Sequence, residues 1–111
     1  MITVKVDRLP SLEIESVTVS GHAQFADPGK DIVCSAVSGI TLGMINAVEM
    51  LLGISLDVKA ENTGYLYFCP PRIDDEKTWE KMQWILEAMV AALVSVSRDY
   101  GSYVKVKDPK Y

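Results

Sequence analysis

The stretch Asp31-Ile32-Val33-Cys34-Ser35-Ala36-Val37-Ser38-Gly39-Ile40-Thr41-Leu42-Gly43-Met44-Ile45-Asn46-Ala47-Val48-Glu49-Met50-Leu51-Leu52-Gly53 decides the fold. Val33, Val37, Ile40, Met44, Ala47 and Leu51 recur at helical spacing. Asp31 stands where an N-cap accepts from first-turn amides, and Gly53 where a left-handed residue closes a helix. The absence of charge from Ile32 to Val48 raises the question of a bilayer, which needs about 20 strongly apolar residues. Ser35, Ser38, Gly39, Thr41, Gly43 and Asn46 dilute this run and Glu49 interrupts it. A buried core helix is therefore the better reading, and no membrane partner is expected.

Upstream, Ile2, Val4 and Val6 alternate with polar residues as in a half-buried strand. A second strand runs from Ile14 to Ser20. Its apolar phase slips, because Leu12 and Ile14 share one parity and Val17 and Val19 the other, so a bulge or bend is required. Downstream, Ile54 to Ala60 alternates as a third strand, Glu61 to Gly64 is a turn, and Tyr65 to Cys69 completes a hairpin. After Pro70-Pro71, Asp74 or Asp75 caps a second helix whose core stripe is Trp79, Met82, Leu86, Met89, Leu93 and Val96. Trp84 lies off that stripe, at a dimer seam or along a groove. Tyr65 and Tyr67 read as ordinary strand formers. A last strand spans Tyr103 to Val106. The order β-β-α-β-β-α-β implies an α+β domain, with a mainly antiparallel sheet and both long helices on one face. Helices apolar on more than one face need a second cover, so a homodimer is expected.

With 111 residues, the chain is read as one domain, residues 1–111. Its composition, 49% apolar and 23% charged, is that of a globular protein. A net charge of −4 leaves no electrostatic footprint for nucleic acid, and would attract a basic peptide. Two cysteines cannot build a disulfide framework. Met1 to Arg8 alternates apolar and polar residues and lacks a signal-peptide pattern, so a reducing cytoplasm is the expected compartment.

Chemistry concentrates around Cys34, the third residue after the Asp31 cap. Free amides and the positive dipole end of a first helical turn favour a thiolate over a thiol. The same amides can donate to an oxyanion on a substrate carbonyl. His22, the one histidine, lies in Gly21-His22-Ala23 at the end of the second strand. The loop Ala23-Gln24-Phe25-Ala26-Asp27-Pro28-Gly29-Lys30 can fold back and bring it to Cys34, where it would take the thiol proton and return it to a leaving amine. Asp31 either caps the helix or orients His22 or a substrate amine. Ser38, one turn after Cys34, either reaches the sulfur or bonds its own backbone. One histidine and two cysteines without CxxC or HxxxH spacing fall short of a zinc site, so no metal is expected. A thiol peptidase, another thiol enzyme and a non-catalytic dimeric binding domain with a core Cys34 all remain open from these residues alone.

Gly21-His22-Ala23, Gly29, Asp31-Ile32-Val33-Cys34 and Ala36-Val37-Ser38, at these separations, resemble the ribosomal-processing cysteine proteases of the Prp family. The likeness extends over essentially the whole chain. It implies a homodimeric, cofactor-free endopeptidase that removes the N-terminal extension of the large-subunit ribosomal protein L-twenty-seven. His22 would match the family's general base and acid, Cys34 its nucleophile, and Ala23 to Lys30 a mobile loop between them.

Overall fold

The computed structural model describes residues 1–27, 31–61 and 64–111. Pro28, Gly29 and Lys30 of the loop, and Asn62 and Thr63 of the hairpin turn, lie outside the described residues. The elements run β1 (Ile2–Arg8), β2 (Ile14–Ser20), α1 (Ile32–Leu52), β3 (Asp57–Glu61), β4 (Tyr65–Cys69), α2 (Glu76–Asp99) and β5 (Val104–Lys107). They form one five-stranded sheet in the order β3-β4-β2-β1-β5. All neighbours are antiparallel except β1 and β5.

Register explains why the helices share a face. Val6, Val17, Phe68 and Val58 form one cross-strand row, and Val4, Val19, Leu66 and Ala60 the next. The alternate rows, such as Lys5–Thr18–Tyr67–Lys59, are polar. Side chains alternate across a strand, so one face is apolar and the other belongs to water. Val33, Val37 and Val48 of α1, with Met82, Leu86, Met89, Val90 and Leu93 of α2, pack with the apolar rows into one core. Among the described residues α1 is the one helix long and apolar enough to cross a bilayer, but these valines tie it to the core.

The expected phase slip is a bulge: Asp7 pairs with Ser16 and Arg8 with Ile14, leaving Glu15 extra. Ile14 and Val17 thereby both point inward and are fully buried. The bulge needs a partner for the Ile14 backbone. Gln83 of α2 supplies both halves, accepting from its amide at 2.8 Å and donating to its carbonyl at 2.9 Å.

Both caps of α1 stand as expected. Asp31 accepts from the amides of Val33 and Cys34, and Gly53 is left-handed at φ 68°. Asp75 caps α2. One expectation fails: Ile54 to Leu56 lies outside the sheet, and β3 starts only at Asp57. Leu56 is buried in the core while β3 is an exposed edge, so the alternation from Ile54 onward mixes two environments.

Arg8 continues the inward parity of β1 and would be an unpaired charge at the core's end. It donates to Asp108 at 2.7 and 2.8 Å, to Glu87 twice at 2.8 Å and to the Leu12 carbonyl at 2.7 Å. Hydrogen bonds from Arg8 hold Glu87 below the usual carboxylate range. In Asp108, burial pushes the other way but is outweighed by Arg8 and the Lys110 amide. A carboxylate depressed on folding contributes stability above its unfolded pKa, and loses it as pH falls through the folded value. The cluster therefore weakens as pH falls from the ordinary carboxylate range down through the lower folded values. Arg8→Met leaves the Asp108 carboxylate buried without its counter-ion and should cost about 3–5 kcal/mol in urea unfolding at neutral pH. It should also flatten the acid limb of the stability profile.

Candidate active site

Gly21, at the end of β2, turns the chain toward Cys34. Its φ is +88°, and a Cβ there would lie 2.3 Å from the Met1 carbonyl oxygen. Its amide donates to the Gly64 carbonyl at 2.8 Å, joining the end of β2 to the hairpin turn. Gly64, at φ +75°, is the second glycine required here. A Cβ on it would come within 2.8 Å of Cε1 and Nε2 of His22 and 2.9 Å of the Gly21 carbonyl. Glycine at both positions leaves the imidazole room to lie against the hairpin, and His22 remains exposed.

Asp31 does more than cap the helix. One carboxylate oxygen accepts from the amides of Val33 and Cys34, each at 3.0 Å. The other accepts from Phe25 at 3.0 Å and Ala26 at 3.4 Å. The Cys34 amide first, then those of Phe25 and Ala26, hold this carboxyl below the usual carboxylate range despite its burial. The loop reverses at Gln24, which is left-handed at φ 56°. Phe25 then meets Tyr100 and Tyr103 edge-on, with centroids 5.9 and 5.1 Å apart. Ala23 is buried, and its amide donates to the Cys34 sulfur at 3.4 Å.

His22 and Cys34 line the same open groove of about 290 Å³, between α1 and the β4–β2 end of the sheet. Among the described residues no hydrogen bond joins the imidazole to the sulfur, whose donor is Ala23. Gly21 and Ser38 also line the groove, and Ser38 is exposed, so its hydroxyl is available there. Asp31 is not among its lining residues, and acts on it through Cys34 and the loop. Both cysteines are free, and Cys69 lies on β4 away from this groove.

Two sequence readings are corrected here. The first-turn amides of Val33 and Cys34 are taken by Asp31, so they are not open to an oxyanion. Tyr65 is not merely a strand former: with Ala60, Glu61, Gly64 and Leu66 it walls the groove. The hairpin's contribution was hidden because nothing local links it to Cys34; only the closeness of Gly64 to His22 reveals it. Trp84 lines a different groove, of about 330 Å³, with Leu12, Glu13 and Glu80.

A family model described as cysteine protease Prp matches residues 1–105. A ribosomal processing cysteine protease Prp from Bacillus subtilis is 36% identical over 108 residues, 96% of each chain. A Staphylococcus aureus counterpart is 26% identical over 106 residues, 96% of this chain and 97% of its own. In three dimensions, the chain superposes with a TM-score of 0.86 on an S. aureus ribosomal processing protease Prp solved with a covalently linked product peptide. The identity there is 24%, covering 96% of this chain and 98% of that one. A thiol at a helix start, a histidine lining the same groove, and a match along nearly the whole sequence converge on one conclusion: this chain is a cysteine protease of the Prp family.

Proposed function

We propose that the chain is a homodimeric endopeptidase of the cytoplasm that removes the N-terminal extension of ribosomal protein L-twenty-seven, with Cys34 as nucleophile and His22 as general base and acid. The observation that carries this reading is the placement of the free Cys34 thiol and His22 in one open groove. The groove accepts an extended peptide: Val19, Leu42 and Leu66 offer apolar surface beside the thiol. An acidic chain of net charge −4 suits a basic ribosomal protein as substrate.

His22 takes the thiol proton, and the Cys34 sulfur attacks the scissile carbonyl carbon. The carbonyl π pair moves to oxygen, then returns as the C–N bond breaks and the amine leaves with the proton from His22. The thioester is hydrolysed by water, which gives one proton to His22. That proton returns to sulfur as the C–S bond breaks. Rotation of the exposed His22 side chain toward the sulfur completes the dyad, since catalytic hydrogen bonds are often loose before substrate binds.

The dimer reading rests on α1. Ile32, Gly39, Gly43 and Met50 follow one line along the helix, and Ile32 and Met50 are exposed. A Cβ on Gly39 or Gly43 would meet nothing within 4 Å in this chain. Each glycine costs the helix about 1 kcal/mol relative to alanine, and a second α1 packed closely against the line accounts for both.

Cys34→Ala and Cys34→Ser should abolish cleavage of the extended ribosomal protein, read by mass spectrometry, while the fold persists. His22→Ala should lower turnover by about 10²-fold or more. Gly39→Leu should leave the helix intact and convert the dimer to monomer in sedimentation equilibrium; an unchanged dimer would move the seam elsewhere. We also propose that peptide binding further steadies the loop segment Ala23 to Asp27, which Asp31, Tyr100 and Tyr103 already hold through Phe25 and Ala26. Hydrogen exchange on Cys34→Ala should show the amides of residues 23–27 better protected with peptide than without.

A further inference from the structure

An acyl transfer needs N–H donors aimed where the carbonyl oxygen becomes an oxyanion. Three amides at the start of α1, including that of Cys34 itself, are already taken: Val33 and Cys34 donate to the Asp31 carboxylate at 3.0 Å, and Ser35 to its carbonyl at 3.1 Å. Among the described residues one backbone N–H does aim at the reacting atom, that of Ala23, whose nitrogen is 3.4 Å from the Cys34 sulfur. We propose that the backbone N–H of Ala23 is an oxyanion-hole donor of this protease. The proposal rests on Cys34 being the nucleophile.

The aim of this amide is fixed from both sides. Before it, Gly21 adopts φ +88° and is pinned to Gly64. The Ala23 residue itself is 3% exposed. After it, Gln24 holds a left-handed conformation that non-glycine residues adopt at a cost. The Phe25 and Ala26 amides lock that turn onto the second oxygen of Asp31. The carboxylate that occupies the helix amides thus also orients the amide that replaces them, which makes Asp31 a positioning residue.

The chemistry follows the charge. In the free enzyme the N–H points at sulfur. When sulfur bonds the carbonyl carbon, the π pair moves to an oxygen two bonds from that sulfur, and the negative charge moves with it. A donor already pointed at the sulfur needs only to tilt to reach the oxygen. When the oxyanion collapses, the pair re-forms the carbonyl and the amine departs with the proton from His22. A donor already held within a small tilt of that oxygen needs little reorganisation at the transition state.

The test replaces Ala23 by L-lactic acid in the full-length chain, joined by peptide ligation, so that an ester oxygen takes the place of the N–H. Turnover of an extended peptide should fall by about 10²–10³-fold, as for loss of one oxyanion donor. Affinity for a peptide aldehyde, whose adduct with sulfur carries its oxygen at the same place, should fall in parallel. Alkylation of Cys34 by iodoacetamide, measured where the thiol is fully ionised, should keep its wild-type rate, because that displacement forms no oxyanion. Ala23→Pro, which also lacks the N–H, should repeat the pattern. Wild-type turnover by the ester chain would overturn the proposal. So would loss of the alkylation plateau together with cleavage, which marks a purely structural amide. Cleavage by Cys34→Ala would instead overturn the nucleophile assignment, a distinguishable failure.

Discussion

Four backbone amides converge on the carboxylate of Asp31, two from the start of α1 and two from the loop before it. Each of those amides would otherwise be an orphan donor, since a first helical turn has no partners and a reversing loop has no ladder. Satisfying both sets with one side chain fixes the loop to the helix, and so sets the path between His22 and Cys34. An asparagine could cap the helix equally well, but its amide nitrogen cannot accept from the loop. The requirement for a carboxylate therefore comes from the site rather than from the helix.

The same economy of partners appears at the other end of the sheet. The bulge opposite Asp7 and Arg8 lets Ile14 enter the core, and it leaves Gln83 to satisfy the Ile14 backbone. Arg8 enters with the same parity and is met by Glu87 and Asp108. Breaking such a pair is costly although forming it adds little net stability. These contacts fix how α2 and the segment after β5 seat against β1, giving the catalytic end a rigid base.

Much of this was legible in the sequence. The slip between Ile14 and Val17 announced the bulge, and Asp31 and Gly53 marked both ends of α1, because caps and parity are local properties. Gly21, His22 and Cys34 could be singled out for the same reason, each lying at an element end. What stayed hidden was non-local. Gly64 is a turn glycine until His22 is placed against it, and Tyr65 is a strand residue until α1 lies across from it. The first-turn amides looked open to a ligand because nothing in Asp31-Ile32-Val33-Cys34 tells which donors the cap consumes. The start of β3 was misjudged because alternation records burial, and Leu56 is buried by the core without belonging to the sheet.

The parallel pairing of β1 with β5 has a temporal side. Ile2 lies beside Val104 and Lys5 beside Lys107, so the first strand finds one of its two partners only in the last elements of the chain. Contacts of such sequence separation close late and slow the search for the native state. Tyr100 and Tyr103, which receive Phe25, belong to the same final segment. During synthesis, a chain still tethered at its C-terminal end can form the β1–β2 hairpin and α1, but has neither the partner strand nor the aromatic seat for its loop. The helix that carries the thiol is thus made well before the strand and the aromatic pair that complete its surroundings.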